Sequence, residues 1–372
     1  VLFTCPFVLA QSHKLADEYF NKAHELQKQG KYRDAAEMFE KSAQAERARP
    51  SPRMQALTAQ LNAAGYFYKL VGQYDKAFKY YKEALAIDRK LGKEGSVAIR
   101  LNNIGTVYHS WGKYDKAIKY FEEALAIDRR LGKEADVARD LNNIGMVYSS
   151  WGQYDRAIKH YEEALAIDKR LGKEAGVATY LNNIGGVYYS WGQYDKAIKY
   201  YEEALAIGKR LGQEDKVAVY FNNIGTVYKS WGQYDKAIEY YKEALAIDRR
   251  LGQEAGVARD LNNIGGVYKS WGQYDKAIEN YEEALAIDKR LGREADVAIR
   301  LNNIGNVYDN WGQFDKAIEY YEEALAIARK LGKEGNIGMY LGNIGWIYGS
   351  QGKYKTAIKY YTESVKIKEK LR

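Results

Sequence analysis

The sequence predicts an all-α fold, a right-handed superhelical solenoid of about nine antiparallel helix pairs. Three observations carry that expectation. The block LNNIGxVYxSWGQYDKAIxYYEEALAIDxRLG recurs at a constant 40-residue step. Within each copy the apolar residues follow helical spacing. Glycine punctuates both ends of each predicted helix. A fixed period of this length marks a stack of supersecondary units, each unable to bury its apolar face alone.

The unit from Ala135 to Gly172 shows the pattern. Val137, Leu141, Ile144, Tyr148 and Trp151 step by 4, 3, 4 and 3 and form one apolar stripe. Gly152 follows, a residue that closes a helix in the left-handed conformation. Tyr154, Ala157, Ile158, Tyr161, Ala164, Leu165 and Leu171 continue at helical spacing. Lys169 and Arg170 precede the closing Gly172 and suit a helix C-terminus. Each unit is therefore a helix A and a helix B joined by a tight turn.

Small residues mark where backbones approach. Gly145 on helix A and Ala157 on helix B recur as Gly105 and Ala117, and as Gly185 and Ala197. A mid-helix glycine costs about 0.5–1 kcal/mol against alanine. Its return in nearly every copy implies that a Cβ there would clash.

The turn glycines Gly30, Gly72, Gly112, Gly152, Gly192, Gly232, Gly272, Gly312 and Gly352 number nine repeats. Residues 11–49 form a divergent first repeat, expected to cap the N-terminal end. Pro50, Ser51 and Pro52 break the helical path after it, and 53–372 holds eight tandem repeats. The chain stops at Arg372, in or just after the last helix B, with Tyr361, Val365 and Ile367 expected to be partly exposed. Solenoids usually carry a polar terminal cap. A further domain beyond Arg372, or self-association through this end, is therefore expected.

Residues 1–10 are apolar, and the chain turns polar at Gln11. Val8 and Ala10 fit the small-residue pattern before a signal-peptidase cut. Two readings stand: the tail of a signal peptide, or an apolar arm. The first implies an exported or periplasmic protein, the second a cytoplasmic one. Ten residues cannot span a bilayer. A lipid on Cys5 fits poorly, with Phe3 and Thr4 before it.

Composition narrows the chemistry. The 372 residues carry 57 basic and 49 acidic side chains, net +8, with mean hydropathy -0.57. Basic residues are interleaved with glutamate, as in KAIEYYKEALAIDRR, and not striped, which argues against nucleic acid. Cys5 is the one cysteine, and His13, His24, His109 and His160 share no repeated spacing. No disulfide, metal site, cofactor motif or catalytic constellation emerges, and the chain is not expected to be an enzyme.

The order Leu141, Ile144, Gly145, Tyr148 on helix A, with Gly152, Tyr154, Ala157, Tyr161 and Ala164 after it, resembles the tetratricopeptide repeat. The likeness covers about residues 12–372. The period exceeds the usual one of about 34 residues, and the proline that normally ends helix B is missing. This longer unit is similar to repeats of kinesin light chains and spindle-orientation adaptors. It also resembles repeats of bacterial signalling chains with a caspase-like domain downstream.

The resemblance implies a groove lined by helix A. One residue of that helix is an asparagine in seven successive copies: Asn103, Asn143, Asn183, Asn223, Asn263, Asn303 and Asn343. It matches the asparagine that holds peptide backbone in superhelical members such as the O-linked N-acetylglucosamine transferase. An amide offers both donor and acceptor to a peptide unit. The alternative is that these amides bond neighbouring helices and order the stack. For Asn102 and its equivalents the stacking role is favoured.

Two positions beside the row vary. One reads Thr106, Met146, Gly186, Thr226, Gly266, Asn306, Trp346, and the other His109, Ser149, Tyr189, Lys229, Lys269, Asp309, Gly349. A constant amide row beside variable side chains suits capture of an extended peptide, with Tyr189, Lys229, Lys269, Asp309 and Trp346 setting preference. Drift on a solvated face is the other reading. Arg139 and Arg259 add basic charge, which suits a protein or peptide partner with an acidic segment. Trp111, Trp151, Trp191, Trp231, Trp271 and Trp311 are expected to seal the joints between units. A sensor arm of a larger signalling chain, with a protease-like effector beyond Arg372, and a self-assembling structural module are the alternative functions.

Overall fold

The computed structural model describes residues 6–370, with side chains from residue 14 onward. Cys5 and the start of the apolar N-terminal stretch lie outside the described residues. Repeat one is α1 (Pro6–Lys28) and α2 (Tyr32–Arg47), and repeat two is α3 (Met54–Leu70) and α4 (Tyr74–Lys90). Then come α5 (Glu94–Ser110), α6 (Tyr114–Arg130), α7 (Glu134–Ser150), α8 (Tyr154–Arg170), α9 (Glu174–Ser190), α10 (Tyr194–Arg210) and α11 (Glu214–Ser230). The series closes with α12 (Tyr234–Arg250), α13 (Glu254–Ser270), α14 (Tyr274–Arg290), α15 (Glu294–Asn310), α16 (Phe314–Lys330), α17 (Glu334–Ser350) and α18 (Tyr354–Lys370). Odd helices are A and even helices are B. The described residues hold no strand.

The chain is an all-α solenoid of stacked helix pairs. It divides into two compact units, with the boundary between Val187 and Tyr188. Each unit has its own core. In the first, Leu141, Ile144, Ala157 and Ala164 are buried where helix A meets helix B. In the second, Leu301, Ile304, Ala317 and Ala324 repeat the arrangement.

Each helix A stops for a local reason. Gly152 stands at φ 77°, where an L side chain is strained. Its N–H reaches the Ser149 carbonyl at 3.0 Å, and the Gln153 N–H reaches the Tyr148 carbonyl at 2.9 Å. These two bonds satisfy carbonyls the helix leaves orphaned and turn the chain back on itself.

The mid-helix glycines behave as the sequence requires. A Cβ on Gly145 would lie 2.9 Å from the Tyr161 ring, and one on Gly105 would lie 2.6 Å from Phe121. The helix B aromatic lies flat against the helix A backbone. Phe121 serves where its neighbours are tyrosine, so the ring, not the hydroxyl, does the packing.

Exposed arginines near helix B ends pair with glutamates that open the preceding helix A. Arg130 reaches Glu94 at 2.9 Å, Arg170 reaches Glu134 at 2.7 Å, and Arg290 reaches Glu254 at 2.8 Å. Both ends of each pair are exposed, so each adds well under about 1 kcal/mol. Among the described residues no helix is long and apolar enough to cross a membrane.

Candidate functional site

The asparagine row sits half-buried on helix A. In the first unit Asn103 Nδ2 donates to Asn62 Oδ1 at 2.7 Å, Asn143 to Asn102 at 3.1 Å, and Asn183 to Asn142 at 2.8 Å. In the second, Asn263 donates to Asn222 at 3.0 Å, Asn303 to Asn262 at 2.8 Å, and Asn343 to Asn302 at 2.9 Å. The acceptor is always the neighbouring asparagine of the preceding repeat. One N–H of each of these six amides thus ties adjacent helices A together, as the stacking alternative expects.

That bond leaves the rest of the amide uncommitted. No hydrogen bond reaches the side-chain carbonyl of Asn103, Asn143, Asn263, Asn303 or Asn343 among the described residues, and none of these oxygens is buried and orphaned. A second N–H also remains on each. The stack bond fixes the orientation of the amide, and the free carbonyl and N–H match the donor and acceptor of a peptide unit.

The variable positions lie on the same helices. His109 Nε2 meets Ser150 Oγ at 2.9 Å, and Tyr189 OH meets Ser230 Oγ at 3.0 Å. Burial lowers the His109 pKa, and the charge of Lys69 lowers it further. Lys229 and Lys269 form no ion pair among the described residues. Burial lowers the pKa of both, and for Lys229 the charge of Lys269 adds to it. Burial pushes the Asp309 carboxyl up. Trp346 is 62% exposed, a large ring open to solvent. Thr226 Oγ1 bonds Tyr241 OH at 2.9 Å, and Tyr321 OH donates to Asn306 Oδ1 at 2.7 Å.

Arg139 and Arg259 stand apart from this group. Arg139 Nη1 reaches Asp136 at 2.6 Å, and its Nη2 lies 3.6 Å from Asp128 and 3.5 Å from Asp140. Arg259 reaches Asp248 at 2.9 Å and Asp260 at 3.0 Å. Both guanidiniums compensate buried carboxylates of their own chain, which reduces the charge they offer a guest.

Those carboxylates form a layer that the sequence reading missed. The aspartate of the AID motif on helix B is buried in five copies: Asp88, Asp128, Asp168, Asp248 and Asp288. Each meets one position on the next helix A. Arg100 donates to Asp88 at 3.0 Å, and Arg300 to Asp288 at 3.0 Å. Tyr180 is hydrogen-bonded to Asp168. Where helix B has Gly208 or Ala328 instead, the facing residue is Tyr220 or Tyr340, and the Tyr220 ring lies 3.0 Å from where a Cβ on Gly208 would be.

Two junctions hold paired acids, Asp128 with Asp140 and Asp248 with Asp260. Asn102 Nδ2 donates to Asp140 at 2.7 Å, and Asn222 Nδ2 to Asp260 at 2.9 Å. Burial pushes Asp140 up to about 7 and Asp260 to about 6, against the nearby arginine. Asp140 in its protonated form donates to Asp128, so one proton relieves the repulsion. Arg139 and Arg259 occur only where such an acid pair occurs. Comparing the copies position by position reveals that covariation; inspecting one copy does not.

The tryptophans bridge repeats while keeping one face wet. Trp151 packs at a tilt against Tyr114 and Trp231 against Tyr194, with ring centroids 6.0 Å apart in each case. Gly232, Gln233, Tyr234, Asp235, Lys236 and Trp271 line one shallow surface pocket, and the matching residues around Trp111 and Trp231 line two more.

A family model described as tetratricopeptide repeat matches residues 55–130, 96–170, 135–210, 176–250, 216–290, 256–330 and 296–370. A second model of that description matches 16–49. Among solved structures the chain is similar to BtubC (BKLC) from P. vanneervenii, at 29% identity and TM-score 0.53, over 59% of this chain and 92% of that one. Its fold is also similar to aspartyl phosphate phosphatase F from Bacillus subtilis, at 16% identity and TM-score 0.58, over 95% of this chain and 94% of that one. A Rap protein complexed with competence and sporulation factor matches at 16% identity and TM-score 0.52, over 97% of this chain and 99% of that one. No curated protein matches the chain. The tandem helix pairs, the helix A glycines packed against helix B rings and matches running from residue 16 to residue 370 agree: the chain belongs to the tetratricopeptide repeat family.

Proposed function

We propose that this chain is a protein-interaction scaffold whose helix A face holds an extended segment of a partner. One observation carries the reading. The row amides are held in place by the stack, yet Asn263, Asn303 and Asn343 keep an unbonded carbonyl beside side chains that differ from copy to copy. A fixed amide row suits a repeating backbone, and Lys229, Lys269, Asp309 and Trp346 suit discrimination among side chains. A Rap protein with competence and sporulation factor bound shares the fold. The test is an array of random twelve-residue peptides probed with the labelled full chain and with its N263A/N303A variant. A binding set weakened about tenfold at unchanged helicity supports the reading, a size expected for one or two lost hydrogen bonds. An unchanged set with a lowered melting temperature leaves the row as a stacking device only.

A second reading, self-association, is favoured by α18. Its Tyr354, Ile358 and Val365 are 68%, 63% and 52% exposed, an apolar stripe that a second copy would cover. Sedimentation across a hundredfold concentration range, with I358D/V365D as control, decides it.

A further inference from the structure

The strongest unassigned feature lies around Gly266, in the second unit. In repeat six the helix B tyrosine, Tyr241, bonds the side chain of Thr226. In repeat eight the equivalent Tyr321 bonds Asn306. In repeat seven the matching residue is Gly266, and Tyr281 OH has no partner among the described residues. A Cβ built on Gly266 would lie 3.4 Å from Tyr281 OH and 2.7 Å from Lys229 Nζ, which reaches across from the preceding repeat. Lys269 follows on the same helix, one turn after Gly266, close enough that its charge and that of Lys229 repel.

The Lys229 ammonium and the Tyr281 hydroxyl thus border one small gap at Gly266, with Lys269 one helical turn away. Neither lysine forms an ion pair among the described residues; burial lowers the pKa of both, and for Lys229 the charge of Lys269 adds to it. This contrasts with Arg139 and Arg259, which are held by aspartates. Unpaired cations kept together in a half-buried place cost free energy unless an anion joins them.

We propose that Lys229, Lys269 and Tyr281 around Gly266 form an oxyanion subsite, receiving a carboxylate or phosphate carried by the bound peptide. The peptide part rests on the groove reading above; the anion part does not. Two ammonium donors and one hydroxyl donor match the acceptor-only rim of a carboxylate or phosphate, and such charge-assisted bonds are the strong ones. Gly266 supplies the room. Asn306, at the same place in the next repeat, shows how a side chain closes it.

The test needs no peptide. Lysine acetylation rates are measured residue by residue on the full chain, by mass spectrometry, with inorganic phosphate titrated at constant ionic strength. Saturable protection of Lys229 and Lys269 by about tenfold is expected, the worth of one charge-assisted bond, with exposed Lys169 unchanged. G266N copies the neighbouring repeat, so it folds, and it should abolish the protection; Y281F should weaken it. Protection that is linear in phosphate, equal at Lys169 or retained in G266N overturns the subsite. Repeating the titration with acetate separates the sources: protection by acetate as well assigns a carboxylate, protection by phosphate alone a phosphorylated side chain. A decapeptide containing glutamate is then compared with its glutamine counterpart. Anion protection without any preference between them keeps the subsite and removes the peptide reading.

Discussion

Asn183 Nδ2 donates to Asn142 Oδ1 at 2.8 Å, joining two helices A across forty-one positions of sequence. The bond makes the amide row part of the stack, and it also sets which way each amide faces. Either residue changed to alanine loses the same bond, at about 1 kcal/mol. The pair therefore separates stacking from binding. N142A and N183A should lower the melting temperature by similar amounts, and the double variant by less than their sum. If the row holds a guest, only N183A also weakens peptide capture.

Asp140 predicts an unusual pH response. Its folded-state pKa, pushed to about 7 by burial, lies above the unfolded value of about 3.9. The folded chain therefore binds this proton more tightly. The stabilisation is full below about pH 4 and is lost as pH rises through 7. D140N mimics the protonated acid, with its amide donating to Asp128 and its carbonyl accepting from Asn102. The melting temperature of D140N relative to the parent should rise from pH 5 to pH 8. A difference that stays flat across that range would show that Asp140 does not titrate between pH 5 and pH 8.

Gly105 and Gly335 both lie inside helices but should respond oppositely to alanine. A Cβ on Gly105 lands 2.6 Å from the Phe121 ring, and one on Gly335 meets nothing within 4 Å. G105A should cost about 1–3 kcal/mol by overpacking, partly recovered by F121L. G335A should be neutral or stabilise by up to about 1 kcal/mol. Thermal unfolding of the three variants checks the contrast.

Asp288 and Arg300 offer a test by exchange. D288A strands Arg300, a side chain only 9% exposed, at about 3 kcal/mol. D288A/R300Y instead copies the Ala328 and Tyr340 junction of the next repeat. It should return to within about 1 kcal/mol of the parent in urea unfolding, since both partners of that pair are native to this chain. A double variant no better than D288A would show that junction residues do not act in pairs.

Much of this was legible in the sequence. The helix pairs announce themselves because spacing and turn glycine are local signals, as around Tyr148 and Gly152. The close approach at Gly145 was equally plain, since a costly glycine returns in copy after copy. The amide row was visible as a row, but its bonds run to residues forty-one positions away and no local pattern aims them. The junction acids were hidden for another reason. Asp128 is followed by Arg129 and Arg130 near the end of a helix B rich in charge, where a solvated face is the ordinary expectation. Burial by the next helix A, which no single copy contains, is what makes Asp140 and Arg139 its partners.

The varied junctions have a consequence for assembly on the ribosome. Eight nearly identical units in tandem invite one helix B to dock on the wrong helix A, the usual hazard of repeat chains. Along the array the facing residues read Asp88 with Arg100, Asp128 with Asp140, Asp168 with Tyr180, Gly208 with Tyr220, Asp248 with Asp260, Asp288 with Arg300 and Ala328 with Tyr340. No two successive junctions match. A slip by one unit would set Gly208 against Asp260 or Ala328 against Arg300, leaving a buried charge without its partner. The small differences between copies act as a partial address, disfavouring slips such as these two.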